Sequence, residues 1–270
     1  MAVRKINEST LTAIGNAIRS KTGGSSLINP EDMADEIESI ETGGSGYTND
    51  DFLDVTKPVG AVYSDATTIS VGLTNRTGIT SISLPNATTV PSSFASGCTG
   101  LKSFSAPNLT GGVYYICENC SSLDTNIFLP FATAMASCLK NCRFPIVVIG
   151  SVNSSQSSVF SDNPNLKKVD IIGGNSIGGA KAFVNDTSFD TLILRSTSLV
   201  SRGNNNNFQN TPFNSGKSGG TIYVPQTLIS DYEADSNWAA VLGANPNNQI
   251  LKIEGSQYEN YYADGTAIPT

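Results

Sequence analysis

Six segments of the chain close on a shared pattern, and their spacing restricts the fold to one kind of object. They end Gly-Cys98-Thr-Gly-Leu101, Asn-Cys120-Ser-Ser-Leu123, Asn-Cys142-Arg-Phe144, Asn163-Pro-Asn-Leu166, Asn-Asp186-Thr-Ser-Phe189 and Asn210-Thr-Pro-Phe213, so the closing Leu or Phe steps by 22, 21, 22, 23 and 24 residues. After the first five comes a short run with alternating apolar residues: Phe104/Ala106, Ile127/Leu129, Val147/Ile149, Val169/Ile171 and Leu192/Leu194. Ile82/Leu84 plays the same part before the first closing Leu, and a second apolar anchor precedes each turn at Phe94, Ile116, Cys138, Phe160, Phe183 and Phe208. Alternation at period two marks a strand with one face inward. A unit this short cannot bury those residues alone. Successive coils must therefore stack, strand on strand at a spacing of ~4.8 Å, around one dry interior. The expected class is mainly β: a solenoid of about 22-residue coils over residues 79–219.

The flanks break the period, as terminal units must where one face meets water. Residues 51–78 read as degenerate opening coils. The strand tails Leu84-Pro85-Asn86 and Ala106-Pro107-Asn108, with Leu129-Pro130 as a variant, are expected to end pairing, because proline has no donor for the ladder and Asn turns the chain. Residues 220–258 read as a strand-helix-strand cap, with a strand at Gly220 to Pro225, a helix from Gln226 to Leu242 and a closing strand Ile250–Ile253. The tail, 259–270, shows no period and is expected to be loose.

Residues 1–42 predict a helical hairpin. Asn7 caps a helix with the stripe Leu11, Ile14, Ile18; Asn29-Pro30 opens a second with Met33, Ile37, Ile40. Each is at or below the ~12–15 residues that give marginal stability alone. The Gly- and Ser-rich stretch in 43–50 reads as a flexible linker, which a mere solenoid cap would not need. The hairpin is therefore expected to dock or to oligomerise, with those six apolar residues as the contact.

Charge excludes several functions. Only 14% of residues are charged against a typical ~25%, the net charge is −7, and no run of Lys or Arg exists, which argues against nucleic acid and anionic membrane as partners. No stretch approaches the ~20 apolar residues of a membrane span, so no membrane insertion is expected. The N-terminus lacks the apolar region of a signal peptide, so synthesis in a cytoplasm and five free Cys are expected. The sequence has no His, which removes Ser-His and Cys-His nucleophile pairs and any imidazole metal site.

Two constellations compete with simpler readings. Cys117-Glu-Asn-Cys120 with Cys138-Leu-Lys-Asn-Cys142 has the paired spacing of a four-thiolate zinc site. The repeat accounts for most of it: Cys98, Cys120 and Cys142 share one turn position, Cys138 takes an anchor slot, and only Cys117 is left over. Asp162 and Asp186 fall in turns, and Asp170 stands on an outward strand position with no second acid in its row, so no hydrolytic carboxylate pair forms. No enzyme activity, metal or cofactor is expected. What remains is surface: the outward strand positions Ser83, Ser105, Phe128, Val148, Asp170, Ile193 and Tyr223 form one row, more apolar than a free surface. It is the candidate binding row, open to a ligand, a sister chain or the N-terminal segment, or else plain sheet filling.

The pattern Leu84-Pro-Asn-Ala-Thr, Phe94, Gly-Cys98-Thr-Gly-Leu101-Lys-Ser resembles the leucine-rich repeats named after the bacterial surface protein BspA, and Gly220 to Trp238 is similar to the closing unit of those arrays. From Pro145 onward the coils lose the Cys and the Leu-Pro-Asn tail. The stretch Asn7 to Gly23 with Pro30-Glu-Asp-Met33 resembles the opening module of structural proteins from phages of Gram-positive gut bacteria. These resemblances imply a virion protein: a tail-fibre or baseplate adhesin, docked to other virion proteins through its helices, with the solenoid facing a host cell-surface glycan or protein. They also imply a homo-oligomer, with a trimer favoured. A structural decoration or head-fibre protein without a receptor is the first alternative, and a cell-wall depolymerase the second.

Overall fold

The computed structural model describes residues 60–270, apart from 154, 156, 204, 205, 215 and 270. The expected helical hairpin with Leu11, Ile14, Ile18, Met33, Ile37 and Ile40, the linker, and the opening coils before residue 60 lie outside the described residues.

The repeats form a parallel β-solenoid of about six turns. Strands β1 (Ala61–Tyr63), β2 (Ser81–Ser83) and β3 (Ser103–Ser105) make one parallel sheet. Strands β4 (Gly111–Val113), β5 (Ile127–Ala134), β6 (Ile146–Val152), β7 (Lys168–Ile171), β8 (Thr191–Leu194), β9 (Thr221–Val224) and β10 (Gln249–Lys252) make a second, in order β10-β9-β8-β7-β6-β5-β4. Pairing joins residues one period apart, as in Ile82 with Phe104 and Val147 with Val169. Three residues separate Leu123 from Ile127, where two separate Leu101 from Phe104, and the ladder is interrupted between β3 and β5. Prolines 85 and 107 follow the ends of β2 and β3, as expected, but Pro130 lies inside β5. There the strand shifts register between Leu129 and Thr133 instead of stopping. Gly150 permits the irregularity, since a Cβ on it would stand 2.8 Å from the Pro130 carbonyl oxygen and 2.7 Å from that of Ala132.

Every closing residue is buried: Leu101, Leu123, Phe144, Leu166, Phe189 and Phe213. The anchors occupy two adjacent rows where the sequence suggests one. Backbone bonds from Ala95 to Ile116, Cys117 to Cys138, Leu139 to Val159, Phe160 to Ala182 and Phe183 to Asn207 align the coils. One row is thus Phe94, Ile116, Cys138, Val159, Ala182, Asn207, and its neighbour is Ala95, Cys117, Leu139, Phe160, Phe183, Phe208. Bulk passes from the first row to the second along the solenoid, which keeps the interior filled. Cys117 has its explanation here, as a small early member of the second row, between Ala95 and Leu139. The later coils are filled by packed rings, with Phe160 and Phe183 stacked at 5.4 Å, Phe183 and Phe189 stacked at 4.5 Å, and Phe208 edge-on to Trp238 at 6.2 Å.

Each turn passes through the left-handed region, at Asn75, Gly97, Asn119, Asn141, Asp162, Asn185 and Asn210, with φ from 56° to 73°. Gly and Asn tolerate that conformation best, which is why the repeat places them there. The side chains also bond along the stack: Asn141 Nδ2 donates to Asn119 Oδ1 at 2.9 Å, Asn185 Nδ2 to Asp162 Oδ1 and Asn210 Nδ2 to Asn185 Oδ1 at 2.7 Å.

The cap differs from the single helix expected over 226–242. A 3-10 turn at Gln226–Leu228 leads into α1 (Ile229–Ala234), and Asp235 breaks the run in an extended conformation before α2 (Ser236–Ala244). The Asp235 carboxylate accepts from the amides of Asn237 and Trp238, so it caps a new helix rather than continuing the old one. Trp238 Nε1 donates to the Val200 carbonyl at 2.7 Å and seats the cap on the last coil.

Candidate functional site

The outward residues chosen from the sequence do form register-matched rows. Ser83 pairs with Ser105 in the first sheet, and Phe128, Val148, Asp170, Ile193 and Tyr223 are successive partners across β5 to β9. The register break between β3 and β5 divides them into two groups. Their accessibility differs from the expectation of an open row. Ser105 is exposed and Ser83, Phe128 and Tyr223 are half-buried, but Val148, Asp170 and Ile193 are fully buried.

The cover is the C-terminal segment, of which residues 259–270 are expected to be loose. After β10 the chain turns back over the outside of the second sheet. Ile253, Tyr258 and Ala263 form a second apolar cluster with Ile193, against which Ile146 and Tyr223 pack. The Tyr258 ring meets Tyr223 edge-on at 4.8 Å, and Tyr262 meets Phe128 at 5.7 Å. An apolar row attracts such a segment because burying one large side chain stabilises by ~1.5–3 kcal/mol.

A polar bolt holds the segment in register. Arg195, one residue beyond β8, grips both Asp170 oxygens, Nε to Oδ1 and Nη2 to Oδ2, each at 2.8 Å. The same guanidinium donates to the carbonyls of Tyr258 at 2.8 Å and Tyr261 at 2.9 Å and lies 5.3 Å from the Tyr262 ring centre. The Ala263 amide completes the carboxylate's shell, donating to Oδ2 at 2.9 Å. Burial pushes the Asp170 carboxyl above its ordinary range, against the pull of Arg195 and the Ala263 amide. Such a bidentate pair under cover fixes the geometry of both side chains. Sequence reasoning missed Arg195, Tyr258 and Tyr262. The cluster Tyr258, Tyr261 and Tyr262 in a stretch with no period, together with an unusually apolar outward row, was the available signal.

The uncovered outer surface is made of small polar side chains. Ser81 and Ser83 face Ser103 and Ser105 across β2 and β3. At the far end of β5, Gly112, Thr133 and Ser151 are successive partners, with the Thr133 and Ser151 hydroxyl oxygens 2.8 Å apart. Phe131, 63% exposed, and Tyr114, 40% exposed, are the large apolar groups beside this patch. A separate cleft of about 360 Å³ opens between the last coil and α2, lined by Arg202, Phe208, Gln209, Phe213 and Val241 among others.

All five cysteines are free and buried. Cys98, Cys120 and Cys142 each donate Sγ–H to a carbonyl of the preceding coil, those of Leu73, Ala95 and Cys117, at 3.0–3.1 Å. Burial pushes Cys98 and Cys138 up to about 12 and Cys117 and Cys142 well above their ordinary values, which opposes the thiolate that a metal needs. Among the described residues, no group of three or more Cys, Asp and Glu is placed to hold a metal ion. No described helix is long and apolar enough to cross a membrane.

Comparison with protein families, with curated proteins and with solved structures finds no match to the chain.

Proposed function

We propose that the chain is a non-enzymatic bacteriophage virion protein, a tail-fibre or baseplate adhesin whose solenoid binds a glycan or protein of the host cell surface. The observation that carries this reading is the likeness of residues 7–33 to the opening module of phage structural proteins. The repeats, read as BspA-like leucine-rich repeats, supply the rigid platform that receptor binding uses. Residues 1–42 dock it to other virion proteins. The receptor face is what the C-terminal segment leaves free: the serine rows of β2 and β3 and the Thr133–Ser151 patch beside Phe131 and Tyr114, whose mix of hydroxyls and exposed rings suits a sugar.

The second reading, a decoration or head-fibre protein without a receptor, draws on the same segment, because it closes the most apolar part of the outer face with the chain's own residues. Two measurements separate the readings. Gold-labelled antibody against the chain is expected at the tail tip of intact particles, and purified protein is expected to adsorb to Gram-positive gut bacteria. Labelling of the head with no adsorption favours the second reading; absence of label from particles overturns both. Release of reducing sugar from host wall would move the chain to the depolymerase class.

A further inference from the structure

The turn position held by Cys98, Cys120 and Cys142 continues through Asn163, Asp186 and Thr211, and it behaves as one rung of a ladder. The first three send a thiol hydrogen to the carbonyl three residues before the previous rung: Leu73, Ala95, Cys117. Asn163 does the same with its amide, Nδ2 donating to the Leu139 carbonyl at 2.9 Å and also to that of Phe160. Thr211 donates its hydroxyl to the Phe208 carbonyl at 2.7 Å. Every rung but one is therefore a donor. The exception is Asp186, which as a carboxylate has no hydrogen to give.

Asp186 otherwise copies Asn163. The Asn163 Oδ1 accepts the Cys142 amide, and the Asp186 Oδ1 accepts the Asn163 amide at 2.7 Å. The other Asp186 oxygen, Oδ2, corresponds to the Asn163 Nδ2; it is buried and no donor reaches it. A charge there is opposed rather than balanced. The charged group bearing on it is Asp162 in the preceding turn, of like sign, whose own ion pair is with Lys140 at 3.9 Å. The rung on the other side is the uncharged Thr211, and the rings of Phe183, Phe189 and Phe213 fill the adjoining interior.

We infer that Asp186 keeps its proton at neutral pH and serves as a hydrogen-bond donor to the Phe160 carbonyl, a carboxylic acid doing in its coil what the amide of Asn163 does one coil earlier. Burial, the largest influence on this group, drives its titration upward in agreement with the geometry. The consequence is a built-in response to pH. The unfolded chain releases this proton above about pH 4, while the folded chain retains it. Stability from this group is therefore complete in acid and is lost as pH rises toward the folded value, by up to a factor of ten in the folding equilibrium per pH unit.

Two measurements on the full chain test the inference. Infrared spectra at pH 7 are expected to show the carbonyl band of a neutral carboxylic acid that D186N removes and D170N does not. In thermal melts, D186N is expected to match the wild type near pH 4 and to outlast it increasingly from pH 5 to pH 8, since an amide supplies the donor without a proton to lose. Absence of that band from the wild type overturns the inference whether or not D186N folds. A D186N deficit that is larger at pH 7 than at pH 4 overturns it as well.

Discussion

Asp170 and Arg195 meet under cover, and buried pairs of this kind punish the loss of one partner more than they reward the presence of both. Arg195→Met leaves the carboxylate with the Ala263 amide alone of its three donors, so a loss of ~3–5 kcal/mol at neutral pH is expected. The sign of the pH dependence follows from the direction of the shift. Burial already raises the folded value above the unfolded one, and losing the cation raises it further. Protonated Asp170 needs no cation, so the deficit should shrink as pH falls through that folded value; denaturant melts at pH 7 and pH 4.5 check it. A deficit unchanged by pH would mean that Arg195 acts by packing alone. The cysteines give a second expectation at this scale. With thiols buried and two of them pushed up to about 12, a thiol reagent at pH 8 should label the native protein only at the rate of unfolding, and all five sites after denaturation. Rapid native labelling would contradict the ladder assignment.

At the scale of elements, the C-terminal segment is what the sequence conceals. Strand positions are legible because two periods superimpose: alternation places Val148, Asp170 and Ile193 outward, and the 22-residue step places them side by side. Whether that row is open depends on contacts such as Ala263 to Asp170, 93 residues apart, between a periodic stretch and one with no period. No local pattern carries such information. The anchors mislead for a related reason: phenylalanines in the later coils look equivalent to Phe94, yet stand one position along, and only the backbone bonds reveal the second row. The divided helix of the cap has a local cause in Asp235, a good N-cap residue that the reading of one helix over 226–242 did not use. Ending the chain at Glu254 tests the covering role. The truncated protein should lose at least the ~1.5–3 kcal/mol worth of each buried tyrosine, Tyr258 and Tyr262. With Val148 and Ile193 bare, it should also associate in light scattering as its concentration rises. An unchanged melting temperature in a monodisperse truncated protein would reduce the segment to an ornament.

The whole molecule combines a solenoid whose coils depend on one another with an N-terminal stretch that sequence analysis assigns to contact with other chains. Coil-to-coil dependence comes from shared rungs: the thiol and amide ladders and the aromatic stack each join neighbours and nothing farther. The solenoid is therefore self-sufficient in a way the proposed hairpin of residues 1–42 is not. Its two stripes, Leu11, Ile14, Ile18 and Met33, Ile37, Ile40, offer six large apolar residues. Each yields ~1.5–3 kcal/mol when fully buried, while ordering each residue of the hairpin costs about 1–2 kcal/mol. Six such side chains fall well short of ordering about forty residues, so the hairpin needs apolar surface from elsewhere. Three copies around an axis would supply it from within a homo-oligomer, and docking onto a different protein would supply it from outside. The expectation is a homotrimer of the full chain in multi-angle light scattering, and a monomer for a chain that starts at Tyr47. A trimer in both would move the contact to the solenoid, with the exposed Phe131 and Tyr114 as the first place to look. Two monomers would leave the hairpin to a different partner, and pull-down from disrupted particles with residues 1–42 would then identify it.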